Sequence, residues 1–357
     1  MYKNRLDNLR RELVERQVDA ILISQPENRF YLSGFSGSDG YLLITGKDTI
    51  LATDFRYVEQ VKKESPNFTL FEIKGRMAAW VPDLMDNLGI KKLGFEPTNV
   101  TFSFYMELTD ILKNTKPELQ VIPLKDTVEK LRTIKEPDEI VLIQKAADIA
   151  DKALEAVTAN LKPGITELDL AWQLEKTMRE MGSQSMPFEV IVGAGPNSAL
   201  PHAKPSNHRI KPGEPIVIDI GARYGGYSSD LTRTVCIGKP DSTFKKIYDI
   251  VLSAQENAIN HITAGMNGVK ADDLARQIII TSGYGDKFGH GTGHGVGLAT
   301  HDPAPRLSPL APTDPLRDGM VFSIEPGIYL PEWGGVRIED LAMLDKGKVK
   351  LLSHSIK

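Results

Sequence analysis

The sequence predicts an α+β protein of two domains, a smaller N-terminal α/β domain and a larger C-terminal domain. Three observations support this fold class. A chain of 357 residues is too long for one ordinary hydrophobic core. Short apolar strands alternate with helices up to about residue 123, whereas the later part contains long apolar helical stripes followed by strands. Helices grouped against a largely antiparallel sheet are the arrangement that the later pattern favours.

The N-terminal domain is predicted to span residues 1–125 and to begin with an amphipathic helix over residues 4–17. Residues 20–23 predict a short strand, and the following Gln-Pro-Glu-Asn sequence predicts a turn. Residues 41–44 and 49–52 predict a pair of strands around a polar turn. This domain carries no chemical motif of its own, because its glycine cluster at residues 34–40 lacks the pattern of a phosphate-binding loop.

The C-terminal domain is predicted to span residues 126–357. Its first long helix follows the apolar stripe from Ile140 to Val157 and ends before Pro163-Gly164. Thr166 is expected to cap the next helix, because its hydroxyl can accept the backbone N–H three residues later. Further helices are expected near residues 243–264 and 270–282, with strands in the remainder.

Composition and charge exclude several classes of protein. The formal net charge of −4 lacks the basic balance of a nucleic-acid-binding protein. The single cysteine, Cys236, cannot form an intrachain disulfide and is expected to be a buried small side chain. No stretch approaches the roughly 18 apolar residues of a membrane span, and the N-terminus lacks the apolar segment of a signal peptide. These features predict a cytoplasmic protein that binds neither nucleic acid nor membrane.

Two predicted hairpins place acidic residues within apolar strands. In the first hairpin, a turn at its Tyr-Gly pair would place Asp219 opposite Asp230. In the second, Glu325 would face Glu339, in an approximate register because Pro326 favours a bulge. Opposed carboxylates repel each other unless a positive charge lies between them. The four acids are therefore predicted to bind cations.

Histidine supplies a fifth candidate ligand. The chain has seven histidines, and none precedes His202, so chemistry that requires imidazole is expected in the C-terminal domain. The segment 290–297 contains four glycines, which allow a close approach of the backbone, but it lacks the spacing of a phosphate-binding loop. His294 on this glycine-rich turn is therefore predicted to be a metal ligand.

The ligand set indicates the metal and the type of reaction. Four carboxylates and one imidazole form an oxygen-dominated set that favours manganese, iron(II) or cobalt over a structural zinc ion. Four negative charges match two divalent cations, which can hold a hydroxide between them and polarise a carbonyl. A structural metal pair and a hydrolytic one are both compatible with these ligands, but uncommitted histidines nearby favour hydrolysis. The predicted ligands are Asp219, Asp230, His294, Glu325 and Glu339.

Three further residues are predicted to assist the reaction. His202 and His301 suit hydrogen bonding to a tetrahedral oxyanion and the movement of protons, although each alone is also compatible with a surface position. Arg337 lies two residues before Glu339 and is expected to orient that ligand or to meet a charge on the substrate. The remaining histidines with expected structural or surface roles are His208, His261 and His354.

These motifs resemble those of the proline-specific metallopeptidases of the pita-bread fold, the Xaa-Pro dipeptidases (prolidases) and the aminopeptidases P. The resemblance covers the whole chain. Residues 26–35 and 52–57 are similar to the creatinase-type N-terminal domain, which methionine aminopeptidases lack. The five metal ligands of the family all have counterparts in the predicted set. The family's substrate-facing histidines correspond to His202 and His301, and its active-site arginine corresponds to Arg337.

The resemblance implies cleavage of the bond before proline in a small peptide whose second residue is proline. It implies two divalent ions, with Mn²⁺ expected and Co²⁺, Fe²⁺ or Zn²⁺ as alternatives. Glu325 would move a proton from the attacking metal-bridging water to the proline nitrogen. A homodimer is expected, in which the partner's N-terminal domain covers the site, with the loop at residues 34–40 as the expected contact. Compact length favours the dipeptidase, and aminopeptidase P or a non-catalytic peptide-binding protein are the alternatives.

Overall fold

The structure, a computed structural model, describes residues 2–357 and divides into two compact units. The first unit ends at Arg132, and the second runs from Thr133 to Lys357. The division therefore falls just before the last residue of the helix Thr127–Thr133, whereas the sequence places the domain boundary between residues 125 and 126. Within residues 2–357, no helix combines the length and the apolar character that crossing a membrane requires.

The first unit is an α/β layer structure with the strand order β4-β3-β2-β1-β5-β6. Strand β1 pairs antiparallel with β2 and parallel with β5. The apolar core includes Leu22, Val81 and Leu108 from the sheet and two helices. The strands are β1 (Ala20–Ile23), β2 (Tyr41–Thr45), β3 (Thr49–Thr53), β4 (Thr69–Glu72), β5 (Lys92–Phe95) and β6 (Gln120–Pro123). The helices are α1 (Tyr2–Glu15), α2 (Pro26–Ser33), α3 (Val58–Glu64), α4 (Met77–Leu84), α5 (Phe102–Thr115) and α6 (Thr127–Thr133).

The predicted turn after β1 is wrong, because this segment begins helix α2. Pro26 occupies the first helical position, where its missing N–H leaves no hydrogen bond unmade and its fixed φ suits the helix. Gly34 then ends the helix in the left-handed conformation, with φ of 78°, and donates its N–H to the carbonyl of Phe30. The proline therefore marks the start of a helix here and not a break.

The second unit contains two helix pairs, each packed against antiparallel strands, and this confirms the predicted α+β class. Its sheets have the orders β11-β8-β7 and β13-β12-β14-β17-β18, beside the short pairs β9–β10 and β15–β16. The helices are α7 (Pro137–Thr158), α8 (Glu167–Glu180), α9 (Ser242–His261) and α10 (Gly268–Thr281). The strands are β7 (Ile191–Ala194), β8 (Pro215–Ile220), β9 (Arg223–Tyr224), β10 (Tyr227–Ser228), β11 (Leu231–Cys236), β12 (Gly293–Gly295), β13 (Asp302–Leu307), β14 (Val321–Ile324), β15 (Gly327–Leu330), β16 (Gly334–Arg337), β17 (Asp340–Asp345) and β18 (Lys348–Leu351).

Each helix pair buries one apolar face against its own sheet. Helices α7 and α8 contribute Ala150 and Leu170 to a core with Ile218 of β8. Helices α9 and α10 contribute Ile247 and Ile279 to a second core with Phe322 of β14. Complete burial of each large apolar side chain contributes about 1.5–3 kcal/mol. Thr166 caps α8 by accepting the N–H of Asp169, which confirms the predicted helix start.

The first acidic hairpin turns at Gly225-Gly226, so its predicted register is wrong. Both glycines have positive φ, 58° and 85°, as a two-residue turn of this type requires at both positions. The turn therefore lies one residue later than the predicted Tyr-Gly pair. Asp219 of β8 consequently pairs with Thr232, and Asp230 lies just before β11.

The register of the second acidic hairpin is as predicted. Ile324 pairs with Asp340, and Gly327 pairs with Arg337 on the other side of an interruption in the ladder. Glu325 and Glu339 both lie in that interruption. Pro326 has no N–H to donate to a ladder, which explains why the pairing stops beside Glu325.

His294 lies in the middle of strand β12 and not on a turn, so that part of the prediction is wrong. Its two neighbours in the strand are Gly293 and Gly295. A Cβ atom on Gly293 would overlap the carbonyl oxygen of Ser323, and one on Gly295 would overlap that of Ala304. The glycines therefore let β12 fit between β13 and β14, which carries His294 into the sheet.

Candidate metal centre

The residues that the sequence singled out all line one cavity of about 500 Å³ in the second unit. They are His202, Asp219, Asp230, His294, His301, Glu325, Arg337 and Glu339. Asp219 lies on β8 and Asp230 lies just before β11. Glu325 follows the last residue of β14, and Glu339 precedes the first residue of β17. The N–H of Glu339 donates to the carbonyl of Thr232 at 3.0 Å, so the two sheets meet at this site.

The imidazole of His294 lies at the centre of the acidic cluster. Its Nε2 atom is 3.2 Å from Oε1 of Glu325 and 3.6 Å from Oδ2 of Asp230. One candidate ligand atom from each of Asp230, His294 and Glu339 lies within 4.8 Å of the others. These distances are short enough for one cation to contact all three side chains.

Three of the four acidic side chains have one oxygen held by a hydrogen-bond donor of the protein. Oδ2 of Asp219 accepts a hydrogen bond from Arg337 at 2.7 Å. Oε2 of Glu339 accepts from the hydroxyl of Thr232 at 2.6 Å. The Ser323 hydroxyl donates to Oε1 of Glu325 at 3.1 Å. These donors fix the orientation of the carboxylates, as the outer contacts of metal ligands commonly do.

Two carboxylate oxygens of the cluster fit a bound cation. Oδ1 of Asp219 and Oε1 of Glu339 are buried and accept no hydrogen bond from the described residues. A buried polar atom without a partner is costly. Divalent cations prefer oxygen donors of this kind, so the donor set present here matches divalent metal ions.

The electrostatics of the cluster favour added positive charge. Burial raises the pKa of Asp219, and it raises the pKa of Asp230 and of Glu339 well above the usual range. The charge of Glu339 raises the pKa of Asp230 further, and that of Glu325 does the same for Glu339. Divalent cations would reverse this effect, because they stabilise the ionised carboxylates.

Glu325 and His294 behave differently from the other members because they form a pair. Burial raises the pKa of Glu325, but the hydrogen bond and the charge of His294 outweigh it and lower the pKa to about 2. Burial lowers the pKa of His294, but the hydrogen bond with Glu325 outweighs it and raises the pKa to about 9. Glu325 is therefore the member of the cluster most strongly held as a carboxylate.

Arg337 contacts Asp219 directly, and its link to Glu339 passes through Thr232. The side chain is buried, and its Nη2 atom is 2.7 Å from Oδ2 of Asp219. Its Nε atom donates to the Thr232 hydroxyl at 3.1 Å, and that hydroxyl holds Glu339. The predicted contact with Glu339 is therefore indirect, because the two-residue shift of the first hairpin places Thr232 between them.

The two predicted substrate-facing histidines lie beside the cluster. The ring of His301 stacks on that of His294 with 4.1 Å between centroids. Burial and then the charge of His294 lower the pKa of His301, which favours a neutral ring. His202 lines the same cavity and is close enough to influence His301. His208 is outside the cavity lining and contacts Glu214 at 3.0 Å, consistent with its expected structural role.

The sequence prediction missed a polar chain along the cavity wall. Nε2 of His290 lies 2.9 Å from the hydroxyl of Tyr329, and that hydroxyl accepts from Arg337 at 3.0 Å. Arg337 then reaches Asp219. His290 is four residues before His294 in the same glycine-rich segment, which was an available signal. Tyr329 offered none, because its relation to His290 depends on strands that are distant in the sequence.

Arg306 was missed for a similar reason. It lies on β13, where it pairs across the ladder with His294 of β12. Its side chain lines the cavity and is exposed. None of the described residues forms an ion pair with Arg306, so its charge is available to a ligand in the cavity.

Acidic and imidazole side chains that converge at the junction of two antiparallel sheets define a metal-dependent hydrolase site. Residues 141–346 match the model of metallopeptidase family M24, and residues 5–134 match the creatinase/prolidase N-terminal domain. The chain therefore belongs to metallopeptidase family M24.

Relatives of known description match over nearly the full chain. An Xaa-Pro dipeptidase of Pyrococcus horikoshii is 40% identical over 96% of this chain and 94% of its own length. The structure of an Xaa-Pro dipeptidase from Bacillus anthracis is 39% identical, with a TM-score of 0.95, and covers 100% of this chain and 99% of that one. An X-Pro aminopeptidase structure from Thermotoga maritima is 36% identical, with a TM-score of 0.88, over 97% of this chain and 98% of that one.

Proposed function

We propose that the protein is an Xaa-Pro dipeptidase whose two divalent metal ions are held by the acidic cluster and His294. The proposed ligands are Asp219, Asp230, His294, Glu325 and Glu339. The observation that carries the proposal is the convergence of these side chains on one cavity, with buried carboxylate oxygens that have no protein donor. When bound, two such ions polarise a carbonyl and activate water as a nucleophile.

Glu325 is the residue to which we assign the proton transfer. Its carboxylate form is favoured because the hydrogen bond and the charge of His294 outweigh the effect of burial and lower its pKa to about 2. Bound cations would favour the same ionised form. A carboxylate is the form that can accept a proton from water. The Ser323 hydroxyl fixes its Oε1 atom. Glu325 thus receives the proton of the attacking water and delivers it to the nitrogen of the departing proline.

His202 and His301 are assigned to the reacting carbonyl. Burial and the neighbouring His294 favour the neutral form of His301 by lowering its pKa. A neutral imidazole still carries one N–H donor, which can stabilise the oxyanion of the tetrahedral intermediate. The nitrogen of proline in a peptide bond has no N–H, so the cavity must recognise the shape of the proline ring instead of a donor.

Arg306 supports a dipeptide as the substrate. A dipeptide with proline in second position ends in a carboxylate immediately after the proline ring. Arg306 lines the cavity next to the strand of His294 and has no acidic partner among the described residues. Guanidinium and carboxylate groups form strong paired hydrogen bonds. We therefore assign Arg306 to the free carboxylate of the substrate.

Substitution of Arg306 tests this assignment. Arg306→Ala is expected to raise KM for Ala-Pro by about 10- to 100-fold, because it removes a hydrogen bond between charged groups. Arg306→Lys is the control and should lose less, because it keeps the charge. The amide of Ala-Pro lacks the carboxylate, so the Ala variant and the wild type should cleave it equally. A similar loss on the amide would contradict the assignment.

Aminopeptidase P is the alternative, supported by the similarity to the Thermotoga maritima structure. Enzyme loaded with Mn²⁺ would be assayed on Ala-Pro and on Ala-Pro-Ala at equal concentrations. A dipeptidase should cleave Ala-Pro and leave the tripeptide largely intact. Efficient release of alanine from the tripeptide would show an aminopeptidase P and would contradict our proposal.

We further propose Mn²⁺ as the bound ion, a homodimer as the assembly and the cytoplasm as the location. The oxygen-rich ligand set supports Mn²⁺, and the family resemblance supports the dimer. Metal analysis of the purified protein before and after chelation tests the ion. Size-exclusion chromatography with light scattering measures the molar mass in solution, and a mass equal to that of one chain would contradict the dimer.

A further inference from the structure

A buried carboxylate holds the segment that carries His202. Glu167 is the first residue of α8 and is 0% exposed. Its Oε1 atom accepts the N–H of Ala194 at 2.7 Å and the amide of Asn197 at 3.0 Å. Its Oε2 atom accepts the N–H and the hydroxyl of Ser206, at 3.0 and 2.6 Å. One side chain therefore binds both ends of residues 194–206.

Glu167 is buried without an ion pair to a basic side chain of the described residues. Among the ion pairs of the described residues, none involves this carboxylate. An unpaired buried charge is costly unless hydrogen bonds replace its water. Here the hydrogen-bond donors do so, and the N-terminus of α8 adds a favourable partial charge. Protein donors therefore take the place of water at both oxygens of the carboxylate.

The segment between the two bound ends forms one wall of the cavity. Its cavity-lining residues are Pro201, His202, Ala203 and Lys204. The carbonyl of Pro201 accepts a hydrogen bond from Arg337 at 3.0 Å. The side chain of His202 has no hydrogen bond to any of the described residues. Its place in the cavity therefore depends on the backbone that carries it.

We propose that Glu167 is a positioning residue that holds both ends of residues 194–206 and thereby orients His202 toward the substrate. The orienting part of this inference rests on the role of His202 in the proposed function. Glu167 itself does not line the cavity. Its effect on catalysis passes through the backbone of the segment, and it has no part in binding the metal ions.

Glu167→Gln is the variant that isolates this role. It keeps the volume of the side chain but replaces one acceptor oxygen with an NH₂ group that faces donors. Glu96→Gln is a matched control in the first unit. Glu96 is 3% exposed, and it accepts the N–H groups of Ser24 and Gln25, each at 2.7 Å. The two variants remove the same kind of contact from different places.

Hydrogen exchange tests whether Glu167 holds the ends of residues 194–206, independently of any effect on catalysis. In Glu167→Gln, the amides of residues 194–206 are expected to exchange at least about tenfold faster than in the wild type, because their local opening becomes easier. In Glu96→Gln they should exchange at the wild-type rate. Unchanged protection in Glu167→Gln would overturn the proposal. If that variant does not fold, Ser206→Ala removes a single donor and should give a smaller change in the same direction.

A kinetic cycle with His202 tests the orienting role. On Ala-Pro, Glu167→Gln is expected to lower kcat/KM by about 10- to 100-fold, the usual effect of a small misplacement. In a His202→Ala background, the same change should cost less than about twofold. The affinity for Mn²⁺, measured by calorimetry, should stay at the wild-type value.

The outcomes separate this inference from the proposed function. Losses that multiply in the double variant would overturn the orienting role, as would a weaker affinity for Mn²⁺. Wild-type activity in His202→Ala would overturn both the role of His202 and its orientation by Glu167. Unchanged exchange in Glu167→Gln would overturn this inference and leave the proposed function untouched, whatever the activity of that variant.

Discussion

The buried guanidinium group of Arg337 fixes the positions of several groups around the acidic cluster. It contacts Asp219 at 2.7 Å, the hydroxyls of Thr232 and Tyr329 at 3.1 and 3.0 Å, and the carbonyl of Pro201 at 3.0 Å. Guanidinium is planar and always charged, so it can serve several acceptors in fixed directions. The contacts connect a carboxylate of the cluster to three different segments of the second unit.

Arg337→Lys is expected to weaken binding of Mn²⁺ by about 10- to 100-fold, the usual effect of losing a contact to a metal ligand. An ammonium group cannot reach all the acceptors of the guanidinium, so Asp219 loses its fixed orientation. Calorimetric titration with Mn²⁺ measures the effect. Arg209→Lys is the control, because Arg209 is exposed and donates to the Gly164 carbonyl. Unaltered affinity in Arg337→Lys would contradict this role.

At the scale of elements, the position of His294 depends on how closely three strands pack. Strand β12 pairs with β13 on one side and with β14 on the other. The Ser323 hydroxyl accepts the N–H of His294 at 3.1 Å and donates to Glu325 at 3.1 Å. The Ser323 hydroxyl therefore links the backbone of β12 at His294 to the carboxylate of Glu325.

Gly293→Ala is expected to separate β12 from β14, because the added Cβ would overlap the carbonyl oxygen of Ser323. Overpacking of this kind costs about 1–3 kcal/mol of unfolding free energy, and affinity for Mn²⁺ should fall as His294 moves. Urea unfolding and metal titration measure the two effects. Gly289→Ala is the matched control, since its Cβ would meet no atom within 4 Å. Equal stability of the two variants would argue against close packing at Gly293.

At the scale of the whole molecule, the proposed metal ligands all belong to the second unit, residues 133–357. Burial and mutual repulsion raise the pKa values of Asp230 and Glu339. Assembling these acids in the folded unit therefore opposes its stability unless positive charge is added. Ions that bind only the folded form should stabilise that unit selectively.

Removal of metal by a chelator is expected to lower the Tm of the second unit, and Mn²⁺ should restore it in a concentration-dependent way. When the free Mn²⁺ concentration is one hundred times Kd, binding at a single site adds about 2.7 kcal/mol to the free energy of unfolding. Scanning calorimetry with and without the chelator measures this shift. His294→Ala is the control and should respond much less to Mn²⁺. If neither the chelator nor Mn²⁺ changes the Tm of the second unit, that result would contradict a metal centre.

Much of the molecule follows from local patterns in the sequence. Helix stripes and the Thr166 cap predict the helices of the second unit, because these signals lie within a few residues of each other. The position of the turn between the two strands predicts the hairpin register of Glu325 and Glu339 correctly. Acids within apolar strands identify the candidate ligands, because a buried charge needs a partner.

Tertiary structure decided what depends on contacts between distant segments. Glycine at two successive positions allowed the first hairpin to turn later than expected, which placed Thr232 opposite Asp219. The links from Arg337 to Asp219 and from Glu167 to the His202 segment join residues far apart in the chain. The sequence alone determined which side chains bring charge and imidazole to the site. Only packing decided which donor holds which oxygen, because a hydrogen bond requires two atoms within about 3 Å, and no local pattern specifies that distance.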